Sequence, residues 1–126
     1  MTDYPNPNFS IDLTDQVAFV TGTTSGLGIR FAKVLAKCGA KVILSGRRVE
    51  ILESLAEEIR ADGGTCEPIR IDMTDRESIR SAHKQAEDVF GTVNILINNA
   101  GIPDAQWAVK MSDELIDNVF DTNLVG

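Results

Sequence analysis

At 126 residues, with 43% hydrophobic and 25% charged residues, the chain has the size and composition of one soluble globular domain able to bury a core. A formal charge of −7 and a pI near 4.6 exclude nucleic acid and anionic membrane surfaces as partners, since both require a basic footprint, so any bound phosphate must be held by local geometry and a few local cations. Two cysteines, Cys38 and Cys66, without metal-ligand spacing, and a single histidine, His83, leave no metal site to expect.

The polar, acidic opening from Met1 to Asp12, with Pro5 and Pro7, reads as a flexible leader, neither a signal nor a transit peptide. No apolar run approaches the ~20 residues of a membrane span. With two unpaired cysteines and no secretory leader, the expected setting is the reducing cytoplasm. Residues 13–126 are expected to be part of one domain.

Gln16 to Thr21 reads as a first strand, nearly all apolar, as a parallel strand covered on both faces must be. Thr21-Gly22-Thr23-Thr24-Ser25-Gly26-Leu27-Gly28 follows, and it leads directly into a helical pattern. Strand, glycine-rich turn and helix in this order make a phosphate grip. Gly22 permits the sharp turn, Gly26 lets bare backbone approach a pyrophosphate, and Gly28 lets the helix pack closely, with the helix's free N–H groups facing the anion. Thr23, Thr24 and Ser25 could donate hydroxyls to phosphate, or simply suit a tight turn.

The first helix is expected over Gly26 to Cys38, with Leu27, Phe31, Val34 and Leu35 at helical spacing and Gly39 ending it. Lys41 to Ser45 is a second strand. Val49 to Ala61 places Leu52, Leu55, Ala56 and Ile59 on one face, an amphipathic helix closed by Gly63-Gly64. Thr65 to Ile71 is a third strand, and Thr74-Asp75-Arg76-Glu77 reads as a capping box for a third helix with Ile79, Ala82, Ala86 and Val89 inward. Val93 to Ile97 is a fourth strand. Ser112 is a plausible N-cap for a last helix carrying Ile116, Val119, Phe120 and Asn123 on one stripe. Alternation at this spacing indicates right-handed βαβ units, hence an α/β fold: an open, doubly wound parallel sheet with helices on both faces.

The glycine turn, Asp72, Asn98-Asn99-Ala100-Gly101 and Asn123 stand in one order and spacing, and together they resemble the N-terminal half of the short-chain dehydrogenase/reductase family. That resemblance implies a partial Rossmann sheet ordered 3-2-1-4, truncated before a fifth strand. It implies NADP(H) or NAD(H) as cofactor, a small-molecule carbonyl or alcohol substrate, and a homo-oligomer. Its cofactor contacts carry over to Gly22, Thr24, Ser25, Gly26, Leu27 and Gly28. Asp72 and the N–H of Met73 would face adenine, although Asp72 could equally prepare the cap at Thr74. Asn98 would steady the sheet, while Asn99, Ala100 and Gly101 line the cofactor cleft.

Of the family's Asn, Ser, Tyr and Lys, only the asparagine carries over, to Asn123. There it would position a water in a proton relay, or serve as a satisfied core amide. The sole tyrosine, Tyr4, has no lysine four residues on, so these residues alone are expected to be inactive. Trp107 would edge a substrate entrance or pack a loop.

Ser45-Gly46-Arg47-Arg48 occupies the end of the second strand, where NAD enzymes place a carboxylate for the ribose 2′-hydroxyl. No carboxylate stands there. Arg47, with Arg48 beside it, could hold a 2′-phosphate, or both could be solvated charges pairing with Glu50 or Glu53. The first alternative favours NADP(H). A non-catalytic nucleotide-binding module, needing a partner to cover its apolar fourth strand, is the competing functional expectation.

Overall fold

A computed structural model of the chain describes residues 11–24, 26–101, 113, 114 and 117. Expectations for the leader, Ser25, Trp107, the last helix and Asn123 therefore fall mainly or wholly outside the described residues. Seven elements follow one another: β1 (Val17–Thr21), α1 (Gly26–Lys37), β2 (Lys41–Gly46), α2 (Val49–Ala61), β3 (Thr65–Arg70), α3 (Arg76–Phe90) and β4 (Ile95–Ile97).

The four strands form one parallel sheet in the order β3-β2-β1-β4. β1 pairs with β2 from Val17↔Lys41 to Thr21↔Ser45, and with β4 from Ala18↔Ile95 to Val20↔Ile97. Period-2 alternation then divides the core into two layers. Ala18, Val20, Val42, Leu44 and Cys66 face α1 and α2, whereas Phe19, Ile43 and Ile69 face α3. β1 is buried along its whole length, which explains its unbroken apolar sequence.

α1 departs from its sequence pattern. Leu27, Phe31 and Val34 are 65%, 37% and 48% exposed, and the buried stripe is Gly28, Ala32 and Ala36. Small residues at i, i+4 and i+8 let the helix lie close on the sheet, as the glycine turn that launches it requires. The bulkier side chains go to its outer flank, and only Leu35 of the expected set packs on the core.

α3 departs in two respects. Asp75, not Thr74, is its N-cap: the Asp75 carboxylate accepts from the Glu77 N–H at 3.0 Å, while the Thr74 hydroxyl is spent on Asp72. A capping box needs a hydroxyl free to face the helix, so none forms. Ala82 and Ala86 are buried as expected, but Val89 is 47% exposed.

β4 begins two residues later than its sequence suggests because Asn94 serves as a tie to β1. Its N–H donates to the Val17 carbonyl (2.9 Å) and its side-chain oxygen accepts from the Val17 N–H (3.0 Å). At the sheet's edge, Leu96 is 59% exposed.

Candidate functional site

β1 and β4 are neighbours at the point where the strand order reverses, and the glycine turn leads from the carboxyl end of β1 into α1, so bare backbone and the positive end of a helix dipole meet at the switch point of the sheet. Gly22 turns off β1 with φ +70°, and a Cβ built there would come within 2.9 Å of Ala100 Cα. A Cβ on Gly28 would run into the Gly22 carbonyl oxygen. At Gly26 the corresponding direction is open, which leaves room for an anion to approach the α1 terminus.

Hydroxyls hold this arrangement from below. Thr21 Oγ1 accepts from the N–H groups of both Asn99 and Ala100 at 2.9 Å and donates to the Ile97 carbonyl at 3.4 Å, fixing the β4 terminus to β1. Thr23, fully buried, donates its hydroxyl and its N–H to the Ser45 carbonyl (3.1 and 3.0 Å). Ser45, also fully buried, donates its own hydroxyl to the Val20 carbonyl at 2.8 Å. Thr23 and Ser45 therefore support the cleft floor, and their hydroxyls are committed to it. Every buried polar side-chain atom among the described residues has a partner.

The cleft above them is a small void of about 100 Å³, lined by Gly22, Thr24, Gly46, Arg47, Ile71, Asp72, Met73, Ala100 and Gly101. Seven residues expected at the cofactor site are thus brought together: Gly22, Thr24, Arg47, Asp72, Met73, Ala100 and Gly101. Others sit differently. Leu27 lies outside this lining and is 65% exposed at the start of α1. Asn99 holds the glycine turn, with its Nδ2 donating to the Gly22 carbonyl at 3.2 Å, while Asn98 is exposed.

Arg47 lines the cleft and Arg48 follows it as the N-cap of α2; both are exposed, and neither forms an ion pair with Glu50 or Glu53, the ion pairs among the described residues lying elsewhere, such as Lys33–Glu58 and Arg60–Glu67. Asp72 is held as an anion. Hydrogen bonds from the Thr74 hydroxyl and N–H, with lesser help from the positive charges of Arg47 and Arg70, place its carboxyl below the ordinary range. Sequence reasoning missed the load carried by Thr21 and Asn94. The hydroxyl and amide at strand ends were the available signals.

These residues fit a dinucleotide: backbone stripped of side chains faces the α1 terminus, the Arg47 guanidinium, which has no ion pair among the described residues, stands at the strand-two rim, and an anionic acceptor lines the far wall. Among the described residues no group of three or more His, Cys, Asp or Glu could hold a metal ion, and no helix is long and apolar enough to cross a membrane.

Comparison with known proteins gives one family. The short chain dehydrogenase family matches residues 16–126. Dehydrogenase/reductase SDR family member 7B of Mus musculus is 39% identical over 121 residues, covering 90% of this chain and 36% of the relative. Oxidoreductase UcpA of Salmonella typhimurium is 36% identical over 114 residues, covering 90% and 43%. Among solved structures, an actinorhodin polyketide ketoreductase variant with NADPH superposes with a TM-score of 0.84 at 34% identity, covering 87% of this chain and 42% of that one. A citronellol catabolism dehydrogenase of Pseudomonas aeruginosa gives 0.86 at 34%, covering 97% and 50%. The chain thus spans half or less of the length of each of these proteins.

Proposed function

The chain belongs to the short-chain dehydrogenase family, and from that premise we propose that it forms the cofactor-binding half of an NADP(H)-preferring oxidoreductase acting on a small carbonyl compound or secondary alcohol. The observation that carries this reading is the meeting of bare glycine backbone, the α1 terminus and Arg47 at one strand-end cleft. When bound, the nicotinamide cofactor supplies or accepts the hydride.

This chain's residues bind and orient. The N–H groups at the start of α1, with Thr24 and Ser25, would hold the pyrophosphate, and Ala100 and Gly101 would pass close to the adenosine ribose. Arg47, assisted by Arg48, would clamp the 2′-phosphate, a charge-assisted contact of about 1.5–3 kcal/mol. Asp72 and the Met73 N–H would face the adenine. NADPH in the ketoreductase relative supports the cofactor class.

Asn123 is the one catalytic assignment within these residues, as the positioner of a water that returns protons to the site. The tyrosine acid/base and its lysine have no counterpart among them, so these 126 residues alone bind cofactor without turnover. The same reading includes self-association of the intact enzyme and a cytoplasmic setting, the latter consistent with Cys38 and Cys66 both being free.

Steady-state reduction of a panel of small ketones by the intact protein, with NADPH and NADH compared, tests the proposal. We expect kcat/KM to favour NADPH by about tenfold and Arg47→Ala to erase that preference while leaving the NADH rate unchanged. An NADH preference in the unmodified protein would overturn the arginine assignment.

A further inference from the structure

Asp72 is fixed by four hydrogen bonds, and they engage only one of its two carboxylate oxygens. Its N–H donates to Ser78 Oγ at 2.8 Å and its carbonyl accepts from the Asp75 N–H at 3.0 Å, which sets the backbone. Its Oδ1 accepts from the Thr74 N–H at 3.0 Å and from the Thr74 hydroxyl at 2.7 Å. Rotation of the carboxylate would break both of these, so Oδ2 has one preferred direction, in a residue that lines the cleft.

We propose that Thr74 is a positioning residue for base recognition: its N–H and hydroxyl clamp Oδ1 of Asp72 so that Oδ2 is presented to the exocyclic amino group of a 6-aminopurine. This rests on the dinucleotide reading of the cleft and on Asp72 as its base contact. An ionised carboxylate only accepts hydrogen bonds, so a 6-oxopurine, which sets an acceptor where the amino donor stood, meets it unfavourably. Discrimination between the two bases therefore depends on how firmly Oδ2 is aimed. Asp72 is already held in its anionic form by the same Thr74 contacts, which is the form the recognition needs.

The test is a fluorescence titration of the intact protein with NADPH and with the reduced hypoxanthine analogue, nicotinamide hypoxanthine dinucleotide phosphate. We expect the unmodified protein to bind NADPH about tenfold tighter than the analogue, as for a hydrogen bond to a charged group. Thr74→Val, which keeps the shape and removes the hydroxyl, is expected to shrink that ratio to about threefold or less, chiefly by weakening NADPH. Thr74→Ala should do the same and Thr74→Ser should restore the ratio, a pattern that a purely structural role for Thr74 would not give. A full ratio retained in both Thr74→Val and Thr74→Ala overturns the role of Thr74 while leaving the cleft assignment standing. A ratio of one in the unmodified protein removes Asp72 as the base contact and the proposal with it. Failure to bind either dinucleotide overturns the cofactor reading itself.

Discussion

Two concavities among the described residues lie at opposite ends of the sheet, and the larger of them is the poorer candidate for a ligand. A groove of about 740 Å³ runs between the C-terminal ends of α1 and α2, with Arg30, Lys33 and Lys37 along one side and Asp62 and Gly63 on the other. The strand-end cleft holds about 100 Å³. In the groove, the positive charges sit on long side chains, and Lys33 is already paired with Glu58 at 2.8 Å with both side chains about half exposed or more. In the cleft, Arg47 and Met73 apart, the groups that would meet a ligand are backbone and short side chains, on a floor fixed by the buried hydroxyls of Thr21, Thr23 and Ser45. Preorganisation, rather than volume, separates a binding site from a surface fold in the protein, because a fixed donor loses no rotamer freedom when it binds.

Substitutions should reproduce that difference in order of size. Gly28→Val drives a side chain into the Gly22 carbonyl and should cost about 3 kcal/mol or more by urea unfolding, with loss of dinucleotide binding. A milder urea midpoint shift would mean that α1 can lift off the sheet. Thr21→Val leaves the Ala100 N–H without its acceptor and the Asn99 N–H with the Ile97 carbonyl alone, and should cost about 2 kcal/mol, with Thr21→Ser close to the unmodified protein. Lys33→Ala in the groove should stay within about 0.5 kcal/mol, since an exposed ion pair in water contributes little. If the last two rank in the opposite order, the contrast between the two regions is wrong.

The topology was legible in the sequence because period and punctuation both report it. The seven elements, their order and the parallel sheet follow from apolar runs, glycine stops and helical stripes at Val49–Ala61. The helix faces were less legible. In α1, bulk and burial part company, since apolar spacing marks Leu27, Phe31 and Val34 while close approach to the sheet selects Gly28, Ala32 and Ala36. In the same way a motif names residues without saying which atom works. Asn99, expected to line the cleft, also holds the glycine turn through its side-chain amide, and Ser45 and Thr23 face the sheet because strand-end carbonyls take their hydroxyls. The shift of the α3 cap to Asp75 has one cause as well: the Thr74 hydroxyl turns to donate to the Asp72 carboxylate, and the Asp75 carboxylate accepts from the Glu77 N–H in its place.

Titration offers a smaller probe of the same contrast. The folded-state pKa of Asp72 is lowered by the Thr74 hydrogen bonds, so its contribution to stability is present above the unfolded-state value and is lost as pH falls through the depressed folded value. Unfolding midpoints should therefore begin to lose the Asp72 contribution as pH falls through the ordinary carboxylate value of the unfolded chain, with the loss complete only below the depressed folded value; in Thr74→Val that loss should be smaller and should be complete at higher pH. Cys66 carries the opposite sign. Burial raises its thiol above the ordinary 9.0, so its contribution is complete below that value and declines only as pH rises beyond it. Stability losing ground between pH 7 and 8 in parallel with Cys66 ionisation would contradict the burial argument.

The central claim is that the small cleft, and not the larger groove, receives the adenosine half of a dinucleotide. Amide chemical-shift mapping of the intact protein during titration with 2′,5′-ADP tests it most directly. The account predicts saturable shifts at Gly22, Gly26, Gly28, Arg47, Asp72, Met73 and Ala100, with residues Lys33, Lys37 and Gly63 unmoved. Saturable shifts confined to the groove between α1 and α2, with the glycine turn silent, would contradict it.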